Sequence, residues 1–269
     1  MNFLYPIWLG TFWSDLTMSL DAYEDHSDSV ILMGGLMAHD SVDNIRAAHN
    51  LQGKKIIVYQ TEPLVDNHWW NCKKVIQNIS GADEVWDYDY DNMEILKQHG
   101  ISSYYKPPLY SPRLNRVSNK ENPKISVLFY GTLTKYRTQL LYDAIHGAVI
   151  GSEYFQTLGD MKIISLWNVT GSDLDEYISN SKIIINLNPY DGKCIQQKPR
   201  ISYALNNNKF ILSERSNRNY YGDMISEFTG FQELIDKLLY VLKNDTWRVD
   251  VVNQYIEYST KQLETLWHT

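Results

Sequence analysis

The segment Val127-Leu128-Phe129-Tyr130-Gly131-Thr132-Leu133-Thr134-Lys135-Tyr136-Arg137 has the composition needed to hold a diphosphate. An apolar run ends at Gly131, and Lys135 and Arg137 open the stretch that follows. A diphosphate asks for backbone N–H donors, close approach of the main chain and positive charge. A strand–glycine–helix junction supplies the first two. Lys135 and Arg137 could supply the third. Read locally, the same residues also make an ordinary βα turn with exposed basic side chains.

A second unit runs from Ile183-Ile184-Ile185-Asn186-Leu187-Asn188 through Gln197-Lys198-Pro199-Arg200 to Phe210-Ile211-Leu212-Ser213-Glu214. It reads as a buried strand, a polar loop, a helix opened by Pro199, and another strand. Proline suits the first helical turn. Arg200 at that helix start opposes the helix dipole. A charge placed against stability points to a ligand such as phosphate, although a solvated arginine fits the pattern too.

A carboxylate or imidazole held in a strand-end loop can serve as a general base. Glu62, Asp15, Asp40 and His39 all fall in expected strand-end loops. Each also reads as a cap or a loop residue. Asp87-Tyr88-Asp89-Tyr90-Asp91 invites a metal reading, but an EF-hand is excluded. Asn92 stands where that loop needs glycine, and Gln98 where it needs glutamate. The simpler expectation is that Asp91 caps a helix over Asn92–His99, with no metal bound. His68-Trp69-Trp70 offers either a stacking surface for a sugar or base, or packing.

Positioning these groups requires a repeating α/β framework. Strands are expected at Phe3–Leu9, Val30–Met33, Lys55–Gln60, Glu84–Trp86 and Ser103–Lys106. Helices are expected near Ser41–Leu51, Asn67–Ile79 and Asn92–His99. This βαβα rhythm implies a parallel sheet covered by helices. Pro107-Pro108-Leu109-Tyr110-Ser111-Pro112 and the polar run behind it mark a connector. The rhythm then restarts with strands at Lys124–Tyr130, Lys162–Ser165, Lys182–Leu187 and Lys209–Ser213. Helices are expected at Tyr136–Ile145, Asp173–Ser179, Arg200–Leu205, Phe231–Lys243 and Trp247–Leu266. Ligands of open parallel sheets bind beyond the carboxyl ends of the strands.

The 269 residues carry a formal net charge of −7, which gives no overall attraction to nucleic acid. Lys106, Arg113, Arg116, Lys120 and Lys124 form a local exception, either a solvated connector or a contact for a polyanion. The 20 Tyr and 8 Trp would serve mainly as core, with some available to stack on sugars. Cys72 and Cys194 have neither disulfide-framework nor zinc spacing, which fits a reducing cytoplasm. The apolar N-terminus has no basic leader and reads as a first strand. No apolar run approaches the roughly 18 residues of a membrane span.

Taken in order, several segments resemble the GT-B glycosyltransferases. In the second half these are Phe129-Tyr130-Gly131-Thr132-Leu133, Ile184-Ile185-Asn186-Leu187-Asn188, and the Arg200 stretch leading into Phe210-Ile211-Leu212-Ser213-Glu214. In the first half, Ile57-Val58-Tyr59-Gln60-Thr61-Glu62, Gly81-Ala82-Asp83-Glu84-Val85-Trp86-Asp87-Tyr88 and Lys106-Pro107-Pro108 resemble segments of the same family. The resemblance spans about Lys54 to Asp223. It implies two Rossmann-like domains facing a cleft: residues 1–110 for the acceptor, a linker at 111–123, and residues 124–245 for a nucleotide sugar. A helix over 246–269 would pack back towards the first domain.

The activity implied is hexosyl or pentosyl transfer from a nucleotide diphosphate sugar, a UDP-sugar by expectation, to an acceptor hydroxyl. The acceptor would be a glycan, a small molecule, or hydroxymethylated cytosine in phage DNA, in which case the setting is the host cytoplasm. Gly131, Thr132, Lys135, Arg137, Asn188 and Arg200 would meet the donor, with Ser213 and Glu214 at its nucleoside or sugar. Glu62, Asp15 or Asp40 would serve as base. The family's Glu-x-x-x-x-x-x-Glu pattern is missing, with Gln197, Ser202 and Tyr203 in that region. A nucleotide-sugar dehydrogenase would need G-x-G-x-x-G, which Leu9-Gly10-Thr11-Phe12 does not provide. A non-enzymatic nucleotide- or sugar-binding module is the alternative.

Overall fold

The computed structural model describes residues 2–4, 10–23, 28–64, 72–141, 161, 163–166, 169–189, 196–244 and 248–267. The chain divides into two compact units, Met1–Leu109 and Tyr110–Thr269.

The first unit alternates strands and helices: β1 (Asn2–Leu4), α1 (Gly10–Met18), β2 (Ser29–Met33), α2 (Val42–Ala48), β3 (Lys55–Gln60), α3 (Cys72–Ile79), β4 (Glu84–Asp87), α4 (Tyr90–Gln98) and β5 (Tyr104–Tyr105). All pairings are parallel, in the order β1-β2-β3-β4-β5. Side chains alternate across a strand. Val30, Leu32, Ile56, Val58 and Val85 therefore share one face, packed with Ile45, Val75, Ile76, Ile79 and Leu96 of α2, α3 and α4. Ile31, Ile57, Tyr59 and Trp86 are buried on the other. There Tyr23 meets the Trp86 ring at 5.9 Å. Burial on both faces explains why these strands read as unbroken apolar runs.

Two boundaries differ from the sequence expectation. The first strand is described as far as Leu4, residues 5–9 lying outside the described set, and α1 already begins at Gly10. Asp15 is thus inside a helix and not in a strand-end loop. His68-Trp69-Trp70 also lies outside the described residues. The cap of α4 is Asp89, not Asp91: its carboxylate accepts from the backbone N–H groups of Asp91 (2.9 Å) and Asn92 (3.3 Å). Asp89 is selected because its own N–H is held by Asp87 Oδ1 at 2.8 Å, which fixes the chain at the helix entrance.

The second unit contains β6 (Ile125–Tyr130), α5 over residues 135–141, β7 (Ile163–Leu166), α6 (Gly171–Ser179), β8 (Ser181–Asn186), α7 (Lys198–Asn206), β9 (Phe210–Glu214), β10 (Ser226–Phe228), α8 (Gly230–Lys243) and α9 (Arg248–Trp267). Its five parallel strands run in the order β10-β9-β8-β6-β7. Strand β10 has three residues, too short to show a period in the sequence. Val127, Phe129, Ile183, Ile185, Phe210 and Leu212 form the core with Leu234, Ile235 and Leu238 of α8. Burying each such side chain contributes about 1.5–3 kcal/mol.

The stretch expected as a connector is laid along this unit by side-chain amides. Ser111 N–H donates to Asn206 Oδ1 at 2.9 Å, and the Arg116 and Val117 N–H groups donate to Asn207 Oδ1 at 3.1 and 3.0 Å. Helix α9 packs on α7, where the hydroxyls of Tyr255 and Ser202 share a hydrogen bond. Tyr255 is fully buried, and burial raises its pKa above the ordinary phenol value. No helix among the described residues is long and apolar enough to cross a membrane.

Losing a side-chain N-cap costs about 1 kcal/mol. Asp89→Ala should therefore lower unfolding stability by about that amount in urea titrations. Asp91→Ala should change it by less than half as much, and equal losses would contradict the cap assignment.

Candidate functional site

Strand order locates the site in the second unit. From β6 the chain steps to β7 on one side, and from β8 to β9 on the other. The connections diverge between β6 and β8, and the carboxyl ends of such a strand pair are where open parallel sheets bind ligands. Gly131 follows β6 there, and Leu187 and Asn188 follow β8. The described strands of the first unit are ordered as they occur in the chain and have no such reversal.

Arg200 occupies this switch point from the first turn of α7. It is 9% exposed, and its Nη1 donates to Asn186 Oδ1 at 3.0 Å. The guanidinium lies over the rings of Phe129 (5.1 Å) and Tyr130 (5.8 Å). It also lies against the backbone of Gly131. A Cβ on that residue would collide with Nη2 and stand 3.0 Å from Cζ, and φ there is +134°. Only glycine tolerates both conditions. The sequence reads Gly131 as room for a ligand, whereas the structure shows room for Arg200.

Lys198, which sequence reasoning passes over, is a second cation in the same turn. It is fully buried, with Nζ 3.2 Å from the centroid of the Tyr220 ring. No acidic residue stands in the first turn of α7. Two buried cations at the positive end of a helix oppose its dipole. Desolvating each cation also costs free energy. Only the exclusion of acids from this turn hints at Lys198 in the sequence.

Arg137 departs from its expected role. Its guanidinium is 2% exposed and donates to main-chain carbonyls: Nη1 to Thr132 (2.9 Å), Nη2 to Leu187 (2.7 Å), and Nε to Leu187 (3.2 Å) and Asn188 (3.1 Å). It ties the loop after β6 to the loop after β8 and is not a cation presented to a diphosphate. Thr132 and Lys135 are exposed beside it.

The remaining predicted residues close a circuit. Asn186 Nδ2 donates to Ser213 Oγ at 2.9 Å, and Ser213 Oγ donates to the Glu214 carbonyl at 3.1 Å. Glu214 Oε2 accepts from Asn188 N–H at 2.8 Å, and its Oε1 accepts from Tyr136 Oη. Seven of the eight donor-site candidates, all but Lys135, thus belong to one contact network around the ends of β6, β8 and β9.

No match was found among protein-family models or curated protein sequences. Solved structures do match. TarM aligns with a TM-score of 0.56 at 13% identity, over 93% of this chain and 56% of TarM. A mutant TarM from S. aureus, in complex with fondaparinux, alpha-GlcNAc-glycerol and UDP, gives 0.53 at 12% identity, over 93% and 57%. Trehalose-6-phosphate synthase OtsA gives 0.57 at 8% identity, over 97% of this chain and 75% of that one. The chain spans a little over half the length of the TarM chains. These likenesses, with two all-parallel α/β sheets, decide the architecture. The chain has the GT-B fold.

In the first unit of this GT-B chain the three carboxylates part company. Asp15 lies within α1. Asp40 Oδ1 accepts from Ser41 N–H (2.9 Å) and Asn44 Nδ2 (2.7 Å), an anchor at the entrance of α2, and His39 is exposed beside it. Glu62 follows the end of β3, where three side chains grip the backbone. Tyr88 Oη donates to the Thr61 carbonyl at 2.6 Å, while Gln60 Nε2 and Asn92 Nδ2 donate to the Glu62 carbonyl at 2.7 and 3.0 Å. Glu62 is thereby the half-exposed acid on the most rigidly held backbone of the three.

The basic stretch is largely engaged inside each unit. Arg116 Nε donates to Asp175 Oδ2 at 2.9 Å, and Lys120 pairs with Glu176. Lys106 lies over the rings of Tyr23 (4.7 Å) and Trp86 (5.4 Å), and burial pulls its pKa below the ordinary lysine value.

Two stability measurements follow from this circuit. Gly131→Ala forces a side chain into the left-handed region against Arg200, and should lose about 1–3 kcal/mol in urea unfolding. An unchanged midpoint would mean that Arg200 does not rest on Gly131. Arg137→Lys replaces a fork by a point donor and strands buried carbonyls, so it should cost at least about 2 kcal/mol. Exposed Lys135→Ala should stay within about 0.5 kcal/mol of the parent. The reverse ranking would restore Arg137 as the ligand-facing cation.

Proposed function

We propose that the chain is a glycosyltransferase that moves a sugar from a nucleotide diphosphate sugar, a UDP-sugar by preference, to an acceptor hydroxyl. The observation that carries this reading is the pair of buried cations, Lys198 and Arg200, in the first turn of α7 at the switch point. A diphosphate leaving group gives such charge a purpose. As the bond from the anomeric carbon to the diphosphate oxygen breaks, negative charge collects on that oxygen. Fixed cations and a helix N-terminus aimed there stabilise the transition state more than the ground state. The acceptor oxygen bonds to the anomeric carbon, and its proton passes to a base, which we assign to Glu62. With this charge supplied by side chains, the transfer should proceed without a bound metal and tolerate a chelator.

The GT-B fold and the UDP bound in the mutant TarM complex support a nucleotide-sugar donor. The net charge of −7 and the internal pairing of Arg116 and Lys120 favour a glycan or small-molecule acceptor over DNA. Whether the sugar is a hexose or a pentose follows from the donor that binds.

The test is a thermal-shift panel of UDP, GDP, UDP-glucose, UDP-galactose and UDP-N-acetylglucosamine, with Arg200→Ala beside the parent. A ligand at 100 times its Kd adds about 2.7 kcal/mol. For a chain of this size that corresponds to a rise of roughly 5–10 °C. The expected result is a shift with one nucleotide and its sugar, abolished in Arg200→Ala. The donor so found is then incubated with glycan, small-molecule and hydroxymethylcytosine-DNA acceptors, and release of nucleoside diphosphate is followed. Glu62→Gln should lower turnover at least about 100-fold with donor binding intact. Binding without turnover on any acceptor would indicate a two-unit binding module, and no shift at all would remove the donor reading.

A further inference from the structure

Among the described residues, two buried polar atoms flanking the β8–α7 connection have no hydrogen-bond partner, Asn188 Oδ1 and Gln197 Nε2. One is an acceptor and the other a donor. Asn188 is 2% exposed, and the rest of its polar groups are engaged. Its N–H donates to Glu214 Oε2 (2.8 Å), its Nδ2 donates to the Arg215 carbonyl (3.1 Å), and its carbonyl accepts from Arg137 Nε (3.1 Å). The Arg215 bond fixes which way the amide faces, because a flip would set two carbonyl oxygens together. Gln197 is held through its backbone. It is the N-cap residue of α7, and its carbonyl accepts from the N–H groups of Arg200 and Ile201, both at 3.1 Å. A buried amide group left unmet costs free energy, so each calls for an explanation.

The two atoms differ from the cations near them in the ligand they fit. A diphosphate is ionised at neutral pH and brings acceptors only, so it can satisfy Gln197 Nε2 but not Asn188 Oδ1. A hydroxyl group both donates and accepts. A carbohydrate with several hydroxyls can meet an acceptor and a donor together. We propose that Asn188 and Gln197 form a hydroxyl-reading subsite, in which Asn188 Oδ1 accepts from one hydroxyl of the donor's carbohydrate and Gln197 Nε2 donates to another. This rests on the nucleotide-sugar reading above and adds a selection rule. The ligand must keep the hydroxyls in question, whether they belong to the transferred sugar or to the ribose.

The experiment is calorimetric titration of the parent chain and of Gln197→Met, a neutral change of similar length. The ligands are the nucleotide sugar found in the panel, its monodeoxy-sugar analogues, and its 2′- and 3′-deoxyribose analogues. One analogue should bind the parent about tenfold more weakly than the intact ligand, the size of one lost hydrogen bond. Gln197→Met should weaken the intact ligand to a similar degree without weakening that analogue further. A sensitive deoxy-sugar analogue places the subsite at the transferred sugar, and a sensitive deoxyribose analogue places it at the nucleoside. If every analogue binds the parent within twofold of the intact ligand, the subsite is overturned. The same follows if Gln197→Met weakens all ligands alike. If no nucleotide or nucleotide sugar binds the parent, the donor reading fails first and the subsite with it. The analogue series on the parent stands alone should the variant misfold.

Discussion

The contact between the Arg200 guanidinium and the backbone of Gly131 constrains everything else at the carboxyl edge of the second sheet. It requires a residue without a Cβ at the end of β6. It requires α7 to begin close enough to β8 for Asn186 to hold Nη1 at 3.0 Å. It requires that helix to be immobile, which follows from its burial from Arg200 to Asn206 and from the clasp of Ser202 by Tyr255 on α9. The loops on either side are then drawn together by Arg137, whose donors reach Thr132 on one and Leu187 and Asn188 on the other. Removing any one part loosens the seat of the Arg200 charge.

That charge works against the stability of its own helix. A helix start favours acids and disfavours cations, yet α7 opens with Lys198 and Arg200 and carries no acid in that turn. The aromatic rings of Phe129, Tyr130 and Tyr220 offset part of the cost through their faces. Positive charge that is buried and fixed in position is what a preorganised anion site requires.

How much of this could be read in the sequence depends on the range of the interactions. Strands such as Ile125–Tyr130 and Ser181–Asn186 were legible because burial on both faces writes an unbroken apolar run into the chain. Arg200 was legible because a cation at a helix start violates a local rule. Arg137 misled because its partners, Leu187 and Asn188, lie about 50 residues away, and nothing local separates a phosphate-facing arginine from one that ties two loops. The α4 cap slipped by two residues for a related reason. Asp89 and Asp91 are equivalent in type, and the choice between them was made by Asp87 holding the chain from the end of β4. Lys198 gave no local sign of its ring contact because Tyr220 arrives from beyond β9.

Topology sets where the buried cations of the second unit gather. Where the strand order reverses, between β6 and β8, the connections leave in opposite directions and the strand ends open between them. Lys198, Arg200 and the amides of Asn188 and Gln197 collect near those ends. At the end of β3 in the first unit, polar groups turn to the backbone beside them, while Gln60 Oε1 and Thr61 Oγ1 stay buried without a hydrogen bond among the described residues. In the first unit, Gln60 and Asn92 both hold the Glu62 carbonyl, and Asn92 also reaches Asp87 at 3.3 Å. The outcome there is a stiff backbone beneath a single half-exposed acid. Strand order has thus placed fixed positive charge near the ends of β6 and β8 and a rigidly backed carboxylate after β3, before any ligand is considered.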